Sequence, residues 1–215
     1  FFSSRWDEPR GHLTWSLEEA RKLGDLFIQT CSAYNLGRLH MSLRELEEAE
    51  LRLGEALHGF LGLGNRGSAA FVRAELGVLH LDRGELDRAG DCLREAESVL
   101  SALEHALVGG YVQITLAEVE LLQGKLDEAR RWSQLGLGRV RALQHRVLQG
   151  IGLCVEAALE WRSGDSEACS RASAAARELL GDSGWGEGRA MLAVADALAG
   201  GEIDREAILG HARAR

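Results

Sequence analysis

Seven histidines, four cysteines and many carboxylates are the residues of this 215-residue chain whose chemistry could go beyond folding it. The histidines contain no His-Glu-x-x-His pattern and share no ligand spacing with Cys31, Cys92, Cys154 or Cys169, so no metal site is expected. The cysteines form no Cys-x-x-Cys pair and are widely scattered, which reads as reduced, packed thiols rather than a disulfide framework. Glu118 and Glu120 would lie on opposite sides of a helix, a poor start for an acid–base dyad. No Ser-His-Asp or Cys-His set is suggested, so no catalytic residue is assigned and no enzyme activity is expected. The run RELEEAE at 44–50 reads as a solvated helix face with i,i+4 pairing. GLGNRG at 62–67 spells G-x-G-x-x-G, but that motif holds a pyrophosphate only between a strand and a helix N-terminus. Here a helical pattern precedes it, so it is expected to be a turn, and no cofactor is predicted.

Composition sets the frame for these residues. The chain is 46% hydrophobic and 27% charged, as in an ordinary soluble globular protein. A net charge of -8 argues against a nucleic-acid surface, which needs cations to neutralise phosphates. No run of eighteen apolar residues suggests a membrane span. FFSSRWDEPR at the start lacks the features of a signal peptide and has no initiator Met, and it reads as the beginning of an excised or processed piece of a cytoplasmic protein. Lys22 and Lys125 are the only lysines; the bias to Arg, Ala, Gly and Leu points to a GC-rich, bacterial genome.

The elements that must position any site repeat with a period of forty. KLGD at 22–25, GLGN at 62–65, ALEH at 102–105 and ALQH at 142–145 place a leucine every forty residues, at Leu23, Leu63, Leu103 and Leu143. Gly84, Gly124 and Gly164 form a second series, with Arg44 in the corresponding place of the first copy. Both series shift together near the end, where Leu180 and Gly201 arrive three residues early. Between the markers apolar residues recur at three and four, as in Leu86, Ala89, Leu93 and Ala96. Each period therefore divides into two helices, with Gly84 or Gly124 in the left-handed conformation that ends the first. Asp25, Asn65 and Asp182 are suited to cap the next helix. His105 and His145 are poorer caps and are expected in the turn instead.

The segment AELGVLHLDRGELDRAGDCLREAE (74–97) resembles a tetratricopeptide repeat, through Leu76, Gly77, His80, Gly84, Leu86, Ala89, Leu93 and Ala96. The preceding copy carries Leu36, Gly37, His40, Leu46, Ala49, Leu53 and Ala56. The third departs by placing Ser133 and Gly136 where a large residue and Ala belong, and the fourth and fifth are degenerate. The resemblance spans about residues 25–213 and implies an all-α, right-handed superhelical solenoid of helical hairpins. The divisions are an N-terminal segment 1–24 carrying the second helix of an incomplete hairpin, repeats at 25–64, 65–104, 105–144 and 145–181, and a degenerate fifth at 182–215, all in one continuous solenoid. A HEAT-type array shares the period but gives no reason for the Gly-Ala pattern. His40 and His80 fall where the family carries a packed aromatic, and are expected to be core histidines capped by a hydrogen bond.

The resemblance also implies that the first helix of each pair lines a concave face that binds a protein or peptide segment. By position, that face holds Tyr34, Asn35, Arg38 and Met41 in the first copy and Phe71, Glu75 and Val78 in the second. Tyr111, Ile114 and Glu118 follow in the third, with Ile151, Cys154, Trp161 and Arg162 in the fourth. Phe71, Tyr111 and Ile151 recur at forty, either as a hydrophobic ladder along the groove or as packing between neighbouring first helices. The chain thus reads as a peptide-binding module, the sensing or docking region of a bacterial signalling or transcriptional regulator. The alternative is a structural scaffold that self-associates through its ends or convex faces, with no cargo in the groove.

Overall fold

The structure, a computed structural model, describes residues 4–181 and 186–200. Among these residues the fold is entirely helical: α1 (Ser4–Leu23), α2 (Leu26–Ser42), α3 (Leu46–Gly62), α4 (Arg66–Asp82), α5 (Leu86–Ala102), α6 (Ala106–Leu122), α7 (Leu126–Ala142), α8 (Arg146–Ser163), α9 (Ser166–Leu180) and α10 (Gly186–Gly200). Six of them, α2 to α7, are seventeen residues long, so the forty-residue period resolves into two equal helices. Asp182, Gly201 and most of the degenerate fifth copy lie outside the described residues. No described helix is long and apolar enough to cross a membrane.

The helices gather into two compact units, residues 1–99 and 100–215. In the first, α2 packs between α1 and α3 and also touches α4; in the second, α8 packs on α7 and α9 and also touches α6 and α10. Contact between alternate helices, repeated in each unit, is the signature of stacked hairpins rather than of a closed bundle. Each unit has its own core: Leu36, Leu53, Phe60 and Leu79 in the first; Ile114, Leu137, Ile151 and Leu180 in the second.

A single turn design serves both within and between hairpins. Gly24, Arg44, Gly64, Gly84, Glu104, Gly124, Gln144 and Gly164 all have positive φ, one at every twentieth residue. The next amide always bonds the carbonyl five residues back, from Asp25 N–H to Ala20 O at 3.0 Å through Asp165 N–H to Glu160 O at 3.0 Å. This is the six-to-one bond of a Schellman ending, and its donor residue begins the next helix. Asp25, Asn65 and Asp165 accept a bond from the amide three residues on, as expected of caps. His145 does the same through Nδ1, at 3.3 Å from Leu148 N, which corrects the expectation that it only fills the turn. His105 makes no such bond. GLGNRG is one of these turns, with Gly64 left-handed and Asn65 as the cap. The helix expected near 12–24 begins earlier, at Ser4, and runs through Pro9.

Three of the eight left-handed positions carry side chains that disfavour that conformation by about 1–2 kcal/mol. Gln144→Gly is therefore expected to stabilise the protein by about 0.5–1 kcal/mol after the entropy that glycine adds to the unfolded chain. Arg44→Gly should gain less, because Arg44 also holds Asp82 at 2.8 Å. Thermal melts of the two variants test this; a lower midpoint for Gln144→Gly would refute it.

Within hairpins, close approach rests on matched sizes. A Cβ built on Gly37 would lie 2.8 Å from Leu53 Cγ, and one on Gly77 would lie 2.7 Å from Leu93 Cγ. Forty residues on, the same two places hold Ala117 and Ser133, and forty further Ala157 and Ser173, all buried. The pair is Gly with Leu in the first two hairpins and Ala with Ser in the next two. Gly136 replaces Ala for a related reason: its Cβ would lie 2.8 Å from Ile114 Cγ1 and 3.0 Å from the Gly110 carbonyl. The departures of the third copy from the family pattern are thus compensated substitutions.

Candidate functional site

In the first unit, α2 and α4, the first (A-type) helices of their hairpins, bring four of the expected residues together. The rings of Tyr34 and Phe71 stand 5.7 Å apart, tilted by 53°, a favourable aromatic arrangement. The Arg38 guanidinium lies 5.9 Å from the Tyr34 ring centre, and its Nε is 3.9 Å from a Glu75 carboxylate oxygen. Burial pushes the Tyr34 phenol up to about 12, and the Glu75 charge adds to the shift. Asn35 and Arg38 are exposed beside this cluster; Met41 and Val78 are half-buried. The result is a half-exposed aromatic pair flanked by charges of both signs.

Phe27 extends the same surface and was not among the expected residues. Positions 27, 31, 34 and 38 share one stripe of α2 by their spacing of four, three and four. Phe27 is 56% exposed, so a large apolar ring stands at the open end of the stripe. The family pattern starts later in the helix and leaves this extra turn unread. The signal was present in the exposed-side spacing of the lengthened helix.

The second unit treats its expected residues differently. Tyr111 and Glu118 are half-buried on α6, whereas Trp161 and Arg162 are exposed in the last turn of α8. Ile114, Ile151 and Cys154 are core residues, only 2%, 5% and 4% exposed, and cannot line a groove as they stand. Ile114 packs where Gly136 and Gly152 admit it. At Ile151 the ladder is packing, in a core shared with Ile114, whereas Phe71 is half-buried, meeting Tyr34 of α2 while keeping part of its ring exposed.

Polar pairs recur at the ends of the A-type helices. His40 Nδ1 lies 2.5 Å from Glu45, and His80 Nδ1 lies 2.9 Å from Glu85, with both rings buried as expected of core histidines. The next hairpin reverses the polarity, with Glu120 placed 3.3 Å from Lys125. Glu45 also accepts from Arg10 at 2.7 Å; that bond, then the one from His40, holds its carboxyl below the usual range. The Arg83 guanidinium does the same for Glu50. In the acidic run 44–50, then, Glu45 and Glu50 hold other helices together instead of pairing along their own; Glu48 pairs at i,i+4, with Arg52 at 3.9 Å.

Two shallow cavities of about 240 and 360 Å³ lie among α1, α2 and α3 and share Leu17 and Arg21 in their linings. Their arginines are already met: Arg10 by Glu45, and Arg21 and Arg52 by Glu55 at 3.3 and 3.1 Å. They present no unbalanced charge to draw an ion.

These features define a TPR-like helical-repeat array. Two solved structures share the fold. One is BtubC (BKLC) from P. vanneervenii, at 16% identity and a TM-score of 0.70 over 95% of this chain and 88% of that one. The other is the Rap conjugation gene regulator of plasmid pLS20 in complex with the Phr* peptide, at 19% identity and 0.62 over 91% of this chain and 57% of that one. No protein-family profile matches the chain, and no curated protein matches it in sequence.

Proposed function

We propose that this chain is a peptide- or protein-binding module of the long-repeat tetratricopeptide type, serving as the sensing or docking part of a bacterial signalling or transcriptional regulator in the cytoplasm. We read it as a binding module and not an enzyme. The observation that carries the proposal is the Tyr34–Phe71 pair with Arg38 and Glu75 beside it. Aromatic and Arg side chains of this kind anchor most of the energy of small interfaces. The Rap structure supports the reading, because a protein of the same fold holds a peptide. In this reading the bound segment lies across α2 and α4, with an apolar side chain on Phe71 and polar groups against Arg38 and Glu75.

A displayed peptide library selected on the protein tests it. Enriched peptides should bind the parent at micromolar strength and lose about tenfold with Phe71→Ala or Arg38→Glu, a change of about 1.4 kcal/mol. Peptides that bind both variants as well as the parent, or a selection that yields none, would defeat the assignment.

A second reading, a scaffold that associates through its end, rests on five large apolar residues exposed within 15–28: Trp15, Leu23, Leu26, Phe27 and Ile28. Light scattering across concentration separates the two. A mass that rises with concentration and falls back with Leu23→Ser favours the scaffold.

A further inference from the structure

Every hairpin from α2–α3 to α8–α9 closes in one way: its A-type helix lies across a stripe of its second (B-type) helix, and each stripe has the same spacing of four and three. The first place in the stripe holds Ala49, Ala89, Ala129 and Cys169, all 0% exposed. The second holds Leu53, Leu93, Ser133 and Ser173, none more than 3% exposed. The third holds Ala56, Ala96, Gly136 and Ala176, all buried. Helix α1 carries the same stripe forty residues earlier, as Pro9, Leu13 and Ser16. It packs on α2 and buries Leu17 in the core of the first unit. Among the described residues, however, no A-type helix lies across this stripe. Pro9 is exposed, and Leu13 and Ser16 are only half-buried, Ser16 meeting Ser32 of α2 at 2.9 Å.

We propose that the stripe of Pro9, Leu13 and Ser16 is a docking seat for one amphipathic helix of a partner protein, laid across α1 as each A-type helix is laid across its own B-type helix. The chain shows what such a helix must bring. Where the second place is leucine, the facing residue is glycine: a Cβ on Gly37 would lie 2.8 Å from Leu53 Cγ, and one on Gly77 2.7 Å from Leu93 Cγ. Where it is serine, the matching place on the A-type helix holds alanine, Ala117 or Ala157. Leu13 is of the first kind, so the partner helix has to set a glycine over it, within one apolar face. A second copy of this chain is a poor source. Its α2 and α4 are already closed on Leu53 and Leu93, and its α6 and α8 bring an alanine that would clash with Leu13. The seat lies apart from the Tyr34–Phe71 pair on α2 and α4, and it stands whether or not that pair takes a peptide.

A synthetic peptide copying α4, residues 66–82, is the probe, because it is an A-type helix with Gly77 at the crossing. Labelled and titrated with the 215-residue protein, it should bind with a Kd of about 100 μM or tighter. Gly77→Leu in the peptide, and separately Leu13→Arg in the protein, should each weaken binding at least about tenfold. Phe71→Ala in the protein should leave it unchanged, which separates this seat from the peptide surface. Hydrogen exchange should slow over residues 9–16 when the peptide binds, and not over 89–96, where the same peptide would land if it displaced α4. No binding, equal binding by the Gly77→Leu peptide, or protection at 89–96 in place of 9–16 would each overturn the proposal. So would a dimer of the parent that Leu13→Arg dissociates, since a second copy would then hold the seat. If Leu13→Arg does not fold, the two peptides and the exchange map on the parent decide.

Discussion

The Ser133→Leu protein should melt about 4–8 °C below the parent, and Ala117→Gly added to it should restore at least half of the loss. Leu53 and Leu93 occupy this place in the first two hairpins only because Gly37 and Gly77 face them without a Cβ. At the third hairpin the facing residue is Ala117, fully buried, so a leucine introduced at 133 meets a methyl group. Overpacking of this kind costs about 1–3 kcal/mol. Ala117→Gly alone should cost about 1 kcal/mol, as glycine inside a helix does. The double variant then departs from additivity in the favourable direction, as residues in direct contact do. Melting curves of the four proteins measure the coupling. A double variant no more stable than Ser133→Leu would show that the two positions do not compensate.

Leu137→Ala should weaken the protein by about 3 kcal/mol, a large share of the about 5–15 kcal/mol that holds a typical domain. Leu137 is 2% exposed, and a Cβ at Gly152 would lie 2.6 Å from its Cδ2. Its methyls therefore fill the space that a glycine on α8 leaves open, beside Ile114. Truncation leaves a void that rigid helix backbone on both sides cannot close. Leu135, two residues before it on the same helix and 44% exposed, is the control: Leu135→Ala should change stability by less than about 0.5 kcal/mol. Urea unfolding of both variants measures the contrast, and equal losses would contradict it.

The array was legible because two independent markers keep one period. The leucines of the inter-hairpin turns and the glycines within hairpins each mark a helix end, and equal spacing leaves room for only two helices between them. What stayed hidden has physical causes. Residue type does not display a dihedral angle: Arg44 aligns with the turn glycines in the sequence, but nothing in Arg44, Glu104 or Gln144 signals that a side chain there keeps the left-handed conformation. Ser133 and Gly136 looked like decay of the pattern because size compensation is visible only across a contact. Ile114 and Ile151 were placed on the binding face by a pattern drawn from shorter repeats. Helices of seventeen and eighteen residues that cross at glycine turn those positions inward. Tyr34, Arg38, Phe71 and Glu75 could each be named from the sequence because all four lie on the part of the helices that the shorter pattern does cover, although their clustering appears only in the structure; Phe27 lies one turn before it.

The paired sizes at 37 with 53, 77 with 93, 117 with 133 and 157 with 173 also determine what can be transplanted. A chimaera that exchanges a whole hairpin carries both partners of its contact and leaves the fit between its two helices intact. One that exchanges a single helix between the early and late copies sets Gly against Ser, leaving a void, or Ala against Leu, forcing a clash. Recombination in such a chain is therefore punished at the joints within hairpins, and at a joint between hairpins it has to keep pairs such as Leu137 with Gly152, although both joints have the same backbone form.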